Sequence, residues 1–301
     1  MANPQACYDE SIEDLPPDPL LDIPSLPIEV ARVPLQPSVD ETVGLTSYRH
    51  WSIGSLMTCR ALQDGENMPP DAVCSWIDED TTYILTKRSV PRVDRTPEGD
   101  FLVNRLPNYF GLSRGIWTLS PNVFCKAKSW TEGRTTEADI LRWVNKNSPS
   151  IPTTKIIYDW VDAAWNRTIL ISRRVPGKTY KDAWPSLTQR QRLAVADQVA
   201  GHLKTLSEHT SDYAETVTGS GPVGAWSLRV REALPRWQPR IEPRVSREDY
   251  EAYMKRRDKR AGVESAPPGI GEPFVLQHDD CSPTNIFVTT PSEPELPVVT
   301  A

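Results

Sequence analysis

Apolar and polar positions fall into short alternating runs over most of the chain, and helical spacing appears in only a few stretches. Val123, Phe124 and Cys125, preceded by Ile116 to Leu119 across a Ser120-Pro121-Asn122 turn, read as a hairpin spanning Phe110–Lys128. Thr135 to Asn145 then sets Ala138, Ile140, Leu141 and Val144 at helical spacing behind a Thr/Glu/Asp head, which predicts a short amphipathic helix. Two more strand-like runs follow, Lys155–Trp160 and Arg167–Val175, parted by the polar connection Asp162–Asn166 and closed by Pro176 and Gly177. Thr188 and Gln191 form a capping-box pattern ahead of Leu193, Ala196, Val199, Ala200, Leu203 and Leu206, the best helix signal in the chain, with its stripe expected in a core. A further helix is expected from Arg247 to Lys259, headed by Ser246, within a Gly-, Pro- and Arg-rich stretch that includes Trp226 and Trp237.

The N-terminal third is less patterned. Residues 1–45 are broken by Pro16, Pro17, Pro19, Pro24 and Pro27 and are rich in acid, a composition that cannot bury enough apolar surface to offset chain entropy; a disordered acidic arm is expected. Residues 46–104 hold apolar islands, Trp51–Met57 and Tyr83–Leu85, between acidic and proline clusters, and read as an irregular N-terminal extension.

The chain has 301 residues, enough for one large or two modest domains. A net charge of −6 argues against a general nucleic-acid or membrane-surface binder, because attraction to phosphates requires a basic face, and leaves room only for a local basic groove. No apolar run reaches the roughly 20 residues needed to cross a bilayer, and no basic segment leads an apolar core at the N-terminus, so a cytoplasmic protein is expected. Its five cysteines, Cys7, Cys59, Cys74, Cys125 and Cys281, lack zinc-site spacing and read as free thiols, with Cys281 a small filler.

The chemistry concentrates near the end. An apolar run, Phe274–Leu276, delivers His278, Asp279 and Asp280 into a segment that Pro283 keeps from becoming helix, and Ile286–Val288 carries the chain away from Asn285. A carboxylate and a carboxamide held close together on such a loop suit an oxygen-seeking ion such as Mg²⁺ beside a phosphate. The competing metal-hydrolase reading of His278 and Asp279 needs further histidines, and His50, His202 and His209 are not suitably spaced.

The motif His278-x-Asp280-x-x-x-x-Asn285 resembles the catalytic loop of the aminoglycoside phosphotransferase and choline kinase group. The resemblance implies an α+β, two-lobed protein-kinase-like fold: a small antiparallel nucleotide-binding lobe at 105–175 and an incomplete, mainly helical lobe at 176–301. It implies ATP and Mg²⁺ as cofactors and a small-molecule acceptor as partner. Asp280 would orient the acceptor hydroxyl, His278 would brace the loop and Asn285 would hold the ion. The family's strand lysine maps to Lys126, with Lys128 two residues on as the alternative of equal facing. Its helix glutamate maps to Glu137, and the interlobe hinge, whose backbone meets adenine, to Arg173 and Val175. Glycines over the phosphates would be Gly111 and Gly115.

One departure stands out. The family carries an Mg²⁺-binding Asp on the strand after the loop's hairpin, whereas residues 286–301 supply a hairpin, the start of that strand and only Glu293 and Glu295 in its turn. The chain therefore reads as C-terminally truncated, or as a kinase-like protein that binds nucleotide or a partner without catalysing transfer.

Overall fold

The computed structural model describes residues 38–92, 98–106, 114–130, 132–219, 244–248, 250–251, 273–278, 280–290 and 295–301. They lie in one unit, Pro37–Ala301. Most of the acidic arm, Phe110 and Gly111, Trp226 and Trp237, most of the helix expected over 247–259, Asp279 and Glu293 lie outside the described residues.

The stretch expected to be irregular is a five-stranded antiparallel sheet: β1 (Val43–Ser47), β2 (His50–Ile53), β3 (Met57–Ala61), β4 (Ala72–Asp78) and β5 (Thr81–Lys87), in the order β1-β2-β3-β5-β4. It starts earlier than the arm was expected to end. A 3-10 turn at Val39–Glu41, held by a Ser38–Glu41 capping box, leads into β1, and Val39 and Val43 are buried. The strands are short, and β2 and β3 alternate one apolar residue with one polar: Trp51 and Ile53 point into the core, as do Met57 and Cys59, Trp76, and Tyr83 and Leu85. Register sets Trp51 opposite Cys59, Cys59 opposite Leu85 and Trp76 opposite Tyr83.

A second, four-stranded sheet follows: β6 (Arg114–Ser120), β7 (Val123–Ser129), β8 (Ile156–Asp162) and β9 (Arg167–Arg173), in the order β6-β7-β9-β8. Helix α1 (Glu137–Asn147) lies between β7 and β8 in sequence. This sheet repeats the order β2-β3-β5-β4 of the first. The two sheets pack through one core, in which Trp51, Met57, Tyr83 and Leu85 meet Trp117, Leu119, Cys125, Ile169 and Ile171.

Two buried carboxylates fasten the sheets together. Asp162, fully buried at the end of β8, accepts hydrogen bonds from the Ser55 N–H (2.5 Å), the Ser55 hydroxyl (2.7 Å) and the Trp165 N–H (3.3 Å). Ser55 belongs to the β2–β3 turn, where Gly54 has φ +59 and a Cβ would lie 2.3 Å from Asp162 Oδ2. At the other corner Asp78 accepts from the Ser120 hydroxyl, from Asn122 N–H (2.9 Å) and from Asn122 Nδ2 (3.0 Å). Burial pushes the Asp78 carboxyl up, but those donors and Arg173 outweigh it and hold it below the usual range.

The rest of the chain adds β10 (Lys178–Thr179), α2 (Tyr180–Ala183), a 3-10 turn (Trp184–Ser186), α3 (Gln189–Ser207), β11 (Thr210–Ser211), β12 (Phe274–Val275) and β13 (Phe287–Val288). A second core joins Ala183, Leu187, Val195, Val288 and Val299. The Thr188 capping box of α3 forms, but only part of its expected stripe is packed: Leu206 is buried and Val199 meets the second core, whereas Leu193 is 56% exposed and Leu203 37%, and Gln191 and Val195 take buried places instead. The reason is polar. Gln191 Nε2 donates to Glu295 C=O (3.1 Å), Gln198 Nε2 donates to Pro297 C=O (2.9 Å), and Val299 N–H donates to Gln198 Oε1 (3.0 Å), so amide side chains turn α3 toward the C-terminal hairpin. That hairpin is the one expected after Asn285, with Phe287 N–H donating to Ala301 C=O (2.8 Å) and Thr289 N–H to Val298 C=O (3.0 Å).

Cys59 and Cys125 are buried, Cys74 is half-buried, and all are free, as is Cys281, which is exposed rather than the filler expected. Among the described residues no helix is long and apolar enough to cross a membrane.

Candidate active site

Alternation along β7 divides its side chains cleanly. Val123, Cys125 and Ala127 enter the core between the sheets, which leaves Phe124, Lys126 and Lys128 on the opposite face. The first turn of α1 meets that face. Its cap is served by Thr136 and Asp139, with Asp139 N–H donating to Thr136 Oγ1 (3.1 Å) and Thr136 N–H to Asp139 Oδ2 (3.0 Å). Glu137 is therefore not needed as a cap. Lys126 Nζ lies 2.7 Å from Glu137 Oε1 and Lys128 Nζ 2.5 Å from Oε2, so the two lysines share one carboxylate rather than competing for the role.

One carboxylate between two ammonium groups leaves a net positive charge, suited to an anion. Burial pushes the Glu137 carboxyl up, but the fields of Lys126 and Lys128 and their hydrogen bonds prevail and hold it at about 2. Burial lowers the Lys128 ammonium, and Lys126 adds to that, with Glu137 opposing both. A depressed carboxyl contributes stability above its unfolded value and loses it as pH falls through the folded one. Urea unfolding measured across pH should show stability dropping from pH 4.5 toward about 2, and Glu137→Gln should flatten that decline; an unchanged slope in the variant would remove the pairing from the acid response.

At the end of β9 the Arg173 backbone is occupied: its N–H donates to Lys155 C=O (2.8 Å) and its C=O accepts from Thr154 Oγ1 (2.6 Å). Its side chain reaches back to the first sheet, donating to Ile77 C=O (2.8 Å) and lying 3.7 Å from Asp78 Oδ1. Val175, in contrast, makes no backbone hydrogen bond among the described residues. Just beyond it Gly177 has φ +99, and a Cβ there would sit 2.3 Å from Val288 C=O. That close approach lets β10 pair with β13, with Lys178 opposite Val288 and Thr179 opposite Phe287.

The loop between β12 and β13 is held at both ends, though its flanking strands do not pair with each other. β12 pairs with β11 and β13 with β10. Leu276 N–H donates to His209 C=O (2.9 Å), Lys181 N–H to Pro283 C=O (3.0 Å) and Tyr180 N–H to Ile286 C=O (2.7 Å). Within the loop, His278 Nδ1 accepts from Asp280 N–H at 3.2 Å, which places the proton of the neutral ring on Nε2. Asn285 Nδ2 donates to the Asp280 backbone C=O (2.9 Å). That bond fixes the amide and turns Oδ1 outward. Neither Oδ1 nor the exposed Asp280 carboxylate has a partner among the described residues, so a carboxylate and an amide oxygen stand free on one braced turn.

The structure thus brings Lys126, Lys128 and Glu137 together, and separately His278, Asp280 and Asn285. Gly115 serves packing, a Cβ there falling 2.5 Å from the Trp117 ring. Among the described residues no three His, Cys, Asp or Glu side chains gather as metal ligands. Sequence reasoning missed Asp78 and Asp162, for which an acid closing a strand ahead of a turn was the available signal.

A strand lysine is thus paired with a helix glutamate, and a later loop presents Asp and Asn. Residues 78–297 match the model of the phosphotransferase enzyme family APH, nearly three quarters of the chain, and the chain belongs to that family. The match begins at the last residue of β4, so most of the first sheet precedes it. No curated protein matches the chain.

Proposed function

We propose that the protein is an ATP-dependent phosphotransferase that moves the γ-phosphate to a hydroxyl of a small molecule, with β6–β9 and α1 as the nucleotide-binding lobe of a two-lobed fold. The observation that carries this reading is the Asn285 Nδ2 bond to the Asp280 backbone, which leaves the Asp280 carboxylate and Asn285 Oδ1 without other partners among the described residues. Asp280 orients the acceptor hydroxyl and takes its proton, and His278 braces the turn. Asn285 Oδ1, a hard oxygen ligand, would hold Mg²⁺, which would supply charge neutralisation at the phosphates. Lys126 and Lys128 grip those phosphates and Glu137 keeps them aligned. Adenine meets the free backbone of Val175 rather than the occupied one of Arg173.

Calorimetric titration with Mg·ATP tests nucleotide binding. Each of Lys126→Met and Lys128→Met should weaken it about 10- to 100-fold, the cost of one charged hydrogen bond. Transfer is then read with labelled ATP and a panel of hydroxylated small molecules. No binding would overturn the reading altogether, and binding without transfer to any acceptor would leave a non-catalytic nucleotide binder.

A further inference from the structure

We propose that His209 is a positioning residue that holds α1 and the strand entering the Asp280 loop in one register; its consequence for phosphoryl transfer rests on the function proposed above. Residues 209–218 run along α1 as a strap fastened at both of its ends. At the C-terminal end His209 Nε2 and the Ser148 hydroxyl share a hydrogen bond (2.7 Å), and the His209 ring stands edge-on to Trp143 with centroids 4.7 Å apart. Ser148 caps α1 and is 2% exposed, so this bond satisfies a buried hydroxyl. At the other end Thr135, just before the cap, hydrogen-bonds to Thr216 (2.8 Å) and Thr218 (2.5 Å). In between, the strap is stiffened by Ser211, whose hydroxyl donates to Glu215 (2.6 Å), and by Ala214, which exchanges backbone bonds with Val245 (both 3.0 Å).

The other side of His209 faces the loop. Its C=O accepts from Leu276 N–H (2.9 Å), and the next two residues, Thr210 and Ser211, pair with Val275 and Phe274. Leu276 is two residues from His278. One residue therefore touches the helix that carries Glu137 with its side chain, and the strand that delivers His278 and Asp280 with its backbone. Glu137 and Ser148 sit at opposite ends of a helix about 16 Å long, which acts as a rigid lever between the phosphate grip and this contact. A shift of the Glu137 end is passed by the imidazole to the loop.

Hydrogen exchange on the full chain tests this without any ligand, by following the Leu276 and Asn285 amides. Glu137→Gln, which loosens the start of α1, should speed exchange at both by about 5-fold, a coupling of ordinary size. With His209→Ala in place, Glu137→Gln should speed exchange in α1 only. His209→Gln, whose amide can still meet Ser148, should restore the response. The proposal is overturned if Leu276 and Asn285 ignore Glu137→Gln in the otherwise unaltered chain, or respond equally with and without the imidazole. A second arm with Mg·ATP separates the two readings: no protection anywhere sinks the nucleotide site, whereas the ligand-free result decides the role of His209.

Discussion

Replacing Asp280 by Asn is expected to lower phosphoryl transfer by a factor of about 10² to 10⁴, the usual contribution of a positioned general base, while Mg·ATP affinity stays within about twofold. Among the described residues the Asp280 carboxylate makes none of the loop's own hydrogen bonds. The turn is maintained by the Asp280 backbone, whose N–H donates to His278 and whose C=O accepts from Asn285, and neither bond involves the carboxylate. The substitution is nearly isosteric and leaves the loop as it was. Only the negative oxygen that takes the acceptor's proton is lost. Single-turnover transfer to whichever acceptor responds, with calorimetry for the nucleotide, separates the two effects. Wild-type turnover in Asp280→Asn would take the proton-accepting role away from this residue.

The largest effect on stability should come from Asp162→Ala, at about 3 kcal/mol, because a fully buried carboxylate leaves three donors unsatisfied when it is removed. Those donors are the Ser55 N–H and hydroxyl and the Trp165 N–H, and the first two belong to the other sheet. Ser55→Ala, which loses one of the three, should cost about 1 kcal/mol. Urea denaturation of both variants reads the difference. A cost for Asp162→Ala no larger than that for Ser55→Ala would show that the carboxylate does not tie the sheets.

What was legible in the sequence followed from local signals. β7 and β9 announce themselves by consecutive apolar residues, Val123 to Cys125 and Ile169 to Ile171, and α1 and α3 by their caps. The Asp280 loop shows in its spacing alone. The first sheet was hidden because its strands are short, because those such as His50–Ile53 and Met57–Ala61 alternate single apolar residues with Ser, Thr and Arg, and because their meaning depends on a facing sheet more than thirty residues away. The face of α3 was read only in part for a related reason. Gln191 and Gln198 look like solvent positions, yet they serve backbone groups of residues 295–299. The bond between Ser148 and His209 joins residues 61 apart in sequence, and no periodicity encodes it.

The shared core has a practical consequence for anyone dividing this protein. A cut placed at Asp78, where the family match starts, would pass through the interior and not between modules. The shortened chain would carry Trp117, Cys125, Ile169 and Ile171 on a bare, sticky flank, and the lysine strand would lose its backing before any question of catalysis arose.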